Sequence, residues 1–290
     1  YGITIIKMKA HFLQLIMERG DKLEIEKKVE ELNKIVNPIL EEVNHEQEKN
    51  VLSKDFVPSK EQQKNVKKLN KIIKKYRKSI PYKFNQAKLL EFLTSHLIDH
   101  YISISNRRDG KTFTYFNFFI MIAIELDIKF TIMVRKHDDR FAFIDTLYEL
   151  IDESPMFEVK YFSSRPTKEY VQLYYDGKII GIITDLNNAS DLKKISTYLK
   201  NFPIILMDEF LVLEGDYLPD EYHRLNLIYS SIDRKQEYDY IFKPKIFYFG
   251  NAENFSSPIL ANLKLFEHLE TQEMNTIQVY DNIALELNEN

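Results

Sequence analysis

The sequence contains no cysteine, which excludes a disulfide framework, a zinc–thiolate site and a thiol nucleophile and suits a reducing compartment. Glycine is scarce, at seven in 290 residues, so a glycine inside a loop motif is informative. No apolar run is long enough to span a bilayer: the longest uncharged stretch, residues 112–124, is interrupted by Asn117. No secretory leader is expected, because Lys7 and Lys9 fall inside the first apolar stretch and no small-residue cleavage site follows. The chain opens on Tyr1 and not on methionine, which allows for a truncated start. An excess of one charge is missing too: 40 basic against 44 acidic residues leave −4. That balance neither demands nor excludes nucleic acid, and the question passes to local basic patches. No internal repeat is found.

Hydrophobic residues make up 44% of the chain, enough for one large core, or one core with a helical appendage. The first 80 residues differ from the rest. Residues 21–48 read as a charged helix with a loose stripe of Leu23, Val29, Leu32, Ile35 and Leu40, kinked or ended at Pro38. Residues 50–59 read as a linker. Over residues 60–80, Val66, Leu69, Ile73, Tyr76 and Ile80 alternate spacings of three and four, while Lys64, Lys68, Lys71 and Lys75 recur on another face. This predicts an amphipathic basic helix. A solvated face is its ordinary meaning; binding of DNA phosphates or an acidic partner is the functional one.

From Lys83 onward strands alternate with helices. Strands are expected at residues 101–105, 130–134, 157–162, 171–175, 179–184, 203–207 and 245–250, and helices at 111–126, 138–151 and 219–232. Asp176-Gly177 reads as a hairpin turn. The expectation is an α/β fold with a mostly parallel central sheet flanked by helices and carrying an antiparallel hairpin insert. Residues 1–82 would form a charged helical extension and residues 83–290 the main domain.

Two segments carry chemistry. Ser105-Asn106-Arg107-Arg108-Asp109-Gly110-Lys111-Thr112 has Walker A spacing, with serine in place of the first glycine. A strand delivers this loop and an apolar helix leaves it, so the helix N-terminus would face bound phosphates. Gly110 would allow close backbone approach, Lys111 would reach the β- and γ-phosphates, and Thr112 would hold Mg²⁺. The bland alternative is that Gly-Lys-Thr merely starts a helix. The second segment, Pro203-Ile-Ile-Leu-Met-Asp208-Glu209, is an apolar strand ending in two carboxylates, as in Walker B. Asp208 would support Mg²⁺ and Glu209 would polarise the attacking water of an ATP hydrolase, against the alternative of two solvated acids. Two weaker signals are His96 and His100, spaced like a helical metal pair but without a third ligand, and Tyr82 or Phe84. Either aromatic could stack on adenine, though core packing is the better reading.

With both motifs placed, the chain resembles the large terminase family, and within it the genome-packaging ATPases of small podophages. The likeness runs from about Ile98 to Leu287 and takes in the two motifs, Arg135-Lys136 after the second strand, and the turn around Asp176-Gly177. It continues through Leu225-Asn-Leu227, Gly250-Asn-Ala252 and Val279-Tyr-Asp281. The resemblance implies a P-loop NTPase fold of the ASCE type, with ATP and Mg²⁺, in a virus-encoded motor of the host cell cytoplasm. It also implies a homo-oligomeric ring, a pentamer, that moves double-stranded DNA through the procapsid portal, with no membrane partner.

By position, Arg107 matches a γ-phosphate-sensing arginine and Asn251 a coupling residue. Arg234 or Lys235 matches a finger supplied to the neighbouring subunit. Arg135 and Lys136 match a basic segment that would meet DNA or a neighbouring subunit, and with Arg140 they become DNA-contact candidates beside the lysines of the basic helix. Ser105 and Asp109 depart from the family pattern, and the nuclease-like domain that follows in the family is not expected in this sequence. A helicase-like DNA-dependent ATPase shares both motifs, and a nucleotide-gated binding module without turnover is the reading from a different class.

Overall fold

The computed structural model describes residues 60–79, 92–107, 110–212, 216–233, 243–252 and 255–288. The chain divides into two compact units, Tyr1–Val57 and Pro58–Asn290, and all described residues lie in the second. The boundary expected between residues 82 and 83 therefore shifts. Helix α1 (Lys60–Ser79) belongs to the main unit, because its apolar stripe is used there: Leu69 is buried and α1 packs on α2 (Lys111–Leu126). The helix expected over residues 21–48, the linker after it, Tyr82 and Phe84 lie outside the described residues.

Among the described residues nine strands form one sheet: β1 (His100–Ser105), β2 (Phe130–Val134), β3 (Phe162–Pro166), β4 (Val171–Tyr175), β5 (Lys178–Asp185), β6 (Ile204–Asp208), β7 (Lys245–Asn251), β8 (Thr276–Tyr280) and β9 (Ile283–Leu287). Their order is β3-β4-β5-β2-β6-β7-β1-β9-β8. The six strands from β5 to β9 in that order are all parallel, and antiparallel strands close both edges. This is the expected mixed sheet with its hairpin insert. The β4–β5 turn has Asp176 and Gly177 both at positive φ, 48° and 72°, as a two-residue hairpin turn between right-twisted strands requires.

Side chains alternate between two faces. On one, Tyr101, Phe247 and Phe249 meet Tyr115 and Phe119 of α2. Twelve of the sixteen residues of α2 are buried, because α1 and α3 (Asp139–Glu153) cover its outer side; a helix that is apolar all round needs such cover. On the other face, Ile102, Ile205, Ile246 and Tyr248 join Leu192 of α4 (Ala189–Leu192), Leu199 of α5 (Ser196–Leu199) and Leu225, Ile228 and Ile232 of α6 (Glu221–Ile232). Short helices α7 (Pro258–Asn262) and α8 (Phe266–Thr271) complete this layer. The result is an α/β/α sandwich.

One expectation fails locally. Residues 157–162 are not a strand; they hold a 3-10 turn at Val159–Tyr161 before β3 begins at Phe162. Phe157 and Tyr161 both pack on the Tyr175 ring, whose hydroxyl accepts from Glu158 N–H at 3.1 Å. The apolar alternation there serves an aromatic cluster and not a ladder. His96 and His100 do not share a helix: His100 lies on β1, buried, with Nδ1 3.1 Å from the Tyr248 hydroxyl. Among the described residues no group of three or more His, Asp or Glu could hold a metal ion. None of the described helices is long and apolar enough to cross a membrane.

Burial pulls the His100 imidazole down to about 4, with Asp99 opposing and Lys243 and Lys245 reinforcing. The folded value lies below the unfolded one. The stabilisation of the neutral ring is therefore complete above pH 6.5 and is lost as pH falls from 6.5 towards 4. The whole effect is about 3 kcal/mol. Denaturant unfolding of wild type and His100→Gln between pH 7 and pH 4 checks it: the gap should move against wild type by about that amount, and parallel pH profiles would rule it out.

Candidate functional site

Three adjacent parallel strands run out at the same edge of the sheet. Across β6-β7-β1, Asp208 stands opposite Phe249 and Ser105 opposite Asn251. The chemistry-bearing residues of both motifs therefore meet at the carboxyl edge of the sheet, where open α/β folds bind ligands.

The chain turns from β1 into α2 through Gly110, at φ 76° and ψ 23°. No atom stands within 4 Å of where a β-carbon would sit, so backbone conformation and not crowding calls for glycine. Gly110 offers no side chain to cap α2, and the leading N–H groups of a helix are a general docking point for an anion. Lys111 is 6% exposed. Its ammonium donates to Ser105 Oγ at 2.8 Å, Ser105 O at 3.2 Å, Asn106 O at 3.1 Å and Asn251 Oδ1 at 3.1 Å. Three protons thus serve four uncharged oxygens, and the serine in place of glycine supplies the shortest contact.

Thr112 Oγ1 donates to Asp208 Oδ2 at 2.8 Å, and Glu209 N–H donates to Asp208 Oδ1 at 3.0 Å. Burial raises the Asp208 carboxyl to about 6; the Thr112 hydrogen bond opposes this, the Glu209 charge adds to it, and the Glu209 N–H and Lys111 oppose it. Glu209 is exposed and sits at φ 50°, a left-handed conformation that costs a non-glycine residue about 1–2 kcal/mol. A pocket of about 250 Å³ is lined by Lys111, Thr112, Asp208, Glu209, Phe249 and Asn251, among others. A larger cavity of about 550 Å³ lies between the end of α2 and the β4–β5 turn. It is at the amino edge of the sheet and holds none of the motif residues, so the smaller pocket is the better candidate.

Arg107 and Asn106 are exposed on the loop. Arg108, Asp109, Arg234 and Lys235 lie outside the described residues. Lys64, Lys68, Lys71 and Lys75 are exposed along α1, with Lys75 Nζ 3.2 Å from Glu125 Oε1. Lys136 is exposed as well.

Two of the DNA-contact expectations require correction. Arg140 is 1% exposed, with Nε 3.4 Å from Asp185 Oδ2. Arg135 is 9% exposed and forms a two-pronged pair with Glu221, Nε to Oε2 at 2.9 Å and Nη2 to Oε1 at 3.0 Å. Each guanidinium is enclosed against a buried carboxylate, so neither is presented to a phosphate backbone. Glu221 was not legible as a site residue: an acid in the first turn of a helix reads as ordinary complement to the helix dipole, and its complete burial follows only from tertiary packing.

No family model and no curated protein matches the sequence. Solved structures do match the fold. The N-terminal domain of the DNA packaging ATPase from bacteriophage phi29 superposes with a TM-score of 0.54 at 19% identity, over 70% of this chain and 95% of that one. The bacteriophage phi29 genome packaging motor assembly gives 0.52 at 19% identity, over 70% of this chain and 56% of that one. The chain thus spans little more than half the length of the motor protein in that assembly. It shares the α/β fold of these structures.

The buried state of Arg140 has a measurable consequence. Arg140→Ala should lower unfolding stability by about 3–5 kcal/mol, the cost of leaving a buried carboxylate without its partner, whereas Lys136→Ala should change it by less than about 0.5 kcal/mol. Denaturant titration of the two variants checks the contrast, and equal, small effects would contradict it.

Proposed function

We propose that this chain is an ATP-hydrolysing motor domain that translocates double-stranded DNA during viral genome packaging. The observation that carries the reading is the convergence of Lys111, Thr112, Asp208, Glu209 and Asn251 on one pocket at the carboxyl edge of the sheet. Likeness in fold to packaging ATPases supports the class of motor.

The residues present suit Mg²⁺ and a nucleoside triphosphate. The hydroxyl of Thr112 and the carboxylate of Asp208 form a hard-oxygen pair 2.8 Å apart at the start of α2, the donor chemistry that Mg²⁺ prefers. When bound, Mg²⁺ would neutralise charge on the phosphate oxygens. Lys111 would exchange its bonds to Ser105 Oγ and Asn251 Oδ1 for phosphate oxygens, and the leading N–H groups of α2 would add to the cradle. Glu209, exposed at the mouth of the pocket, would orient and polarise the attacking water. Asn251, released by Lys111, would report the nucleotide state to the segment after β7. Arg107 would contact the γ-phosphate in cis, and Arg234 or Lys235 of a neighbouring copy would complete the site in a ring. DNA would meet the exposed lysines, Lys64, Lys68, Lys71, Lys75 and Lys136.

Glu209→Gln should keep nucleotide affinity and cut turnover by about 10²-fold or more, while Lys111→Ala should abolish most affinity. Equilibrium binding and phosphate release on the same preparations check this. Wild-type turnover by the glutamine variant ends the hydrolysis reading. Loss of binding and turnover together in that variant would instead favour a structural role for Glu209.

The DNA interface has its own test. Reversing Lys64, Lys68, Lys71 and Lys75 to glutamate should weaken duplex binding whatever the base sequence. The slope of log affinity against log salt should flatten by about 0.9 for each phosphate that is no longer neutralised. An unchanged slope would make α1 a solvated face.

A further inference from the structure

The fork of Arg135 has more donors than Glu221 uses. Nη1 donates to Glu209 O at 2.9 Å and Nη2 to Phe210 O at 2.8 Å, beside the two bonds to Glu221. The guanidinium lies over the Tyr217 ring, 5.3 Å from its centroid. Glu221 is itself held, since Oε2 accepts from Leu218 N–H at 3.1 Å. A planar cation with fixed donor directions therefore joins the start of α6 to two successive carbonyls, those of Glu209 and of the residue after it.

The same segment is gripped from the other side. Phe210 N–H donates to Phe249 O at 3.2 Å. A β-carbon on Gly250 would come within 2.6 Å of the Phe210 ring and 2.9 Å of Leu211, so residues 210 and 211 lie directly on the backbone of β7. Between these two grips Glu209 is kept at φ 50°. A left-handed non-glycine residue persists only where its surroundings over-determine it, and here the surroundings are named bonds.

We propose that Arg135 is a positioning residue: it sets the direction of the Glu209 carboxylate by holding the two carbonyls that follow the strand, with Glu221 as its anchor. The proposal rests on Glu209 being the water-polarising group. Buried and turned towards main chain, Arg135 is not among the residues that line the pocket. Its removal leaves nucleotide binding intact and misaims the carboxylate, and a displacement of about 1 Å at a reacting group can cost about 10²-fold. Arg135 therefore acts on turnover and not on affinity.

Arg135→Lys keeps a cation beside Glu221 but cannot reach both carbonyls. In the full chain with Mg·ATP and duplex DNA, the expected result is turnover down about tenfold or more, with nucleotide affinity within about twofold and the melting temperature close to wild type. The decisive measurement is a double-mutant cycle. In a Glu209→Gln background, Arg135→Lys should leave the residual rate unchanged, because the group it aims is already gone. Should the lysine variant melt early, Glu221→Gln, which loosens the anchor and preserves its shape, goes through the same cycle. Effects that multiply in full, affinity that falls in step with turnover, or a lysine variant at wild-type rate would each overturn the assignment. Wild-type turnover by Glu209→Gln alone would remove the underlying reading as well, and so is told apart from a failure of Arg135.

Discussion

The register of β7 against its two neighbours is the constraint on which the carboxyl edge depends. Ser105 opposite Asn251 and Asp208 opposite Phe249 bring the phosphate loop, the acidic strand end and Asn251 within reach of one ammonium and one hydroxyl. A slip of one residue in β7 would turn Asn251 away from Lys111, because successive strand residues face opposite sides. It would also take Gly250 from beneath Phe210 and put a side chain there. The parallel core with helices on both faces resists such a slip, since every strand in it is buried on both sides.

Around that register the edge is ordered by charges that have shed their water. Lys111 is served by four neutral oxygens, Arg135 by Glu221 and two carbonyls, and Arg140 by Asp185. Each buried cation meets acceptors in a fixed geometry, as low-dielectric surroundings demand. The division of labour follows from what each touches. Lys111 is held by neutral oxygens of the loop and of Asn251 and lines the pocket, whereas Arg135 and Arg140 are closed by carboxylates.

Much of this was legible in the sequence, and the parts that were not share a cause. Local signals succeeded: Asp176-Gly177 made its turn, Phe130–Val134 its strand, and Gly110-Lys111-Thr112 its loop-to-helix junction. Periodicity misled at residues 157–162, where alternating aromatics serve a cluster around Tyr175. It was silent at β8 and β9, whose Asp281-Asn282 turn lacks the glycine that usually marks a hairpin; Asp281 takes φ 52° instead. Arg135 and Arg140 look like any basic residues after a strand, and only burial against Glu221 and Asp185 separates them from Lys136. Partners 86 and 45 residues away along the chain (Arg135 to Glu221, Arg140 to Asp185) leave no local trace.

The same distances bear on how the site comes into being. Thr112 and Asp208 are 96 residues apart in sequence, and Lys111 and Asn251 are 140 apart. Closing such loops carries an entropic cost that is recovered only once the intervening strands have paired. No fragment holding the loop alone, or the acidic strand alone, contains a half-built pocket. Occupancy of the pocket is therefore linked to the folding of the entire sheet: a bound ligand stabilises the unit as a whole by mass action, and unfolding anywhere between β1 and β7 dissolves the pocket with it.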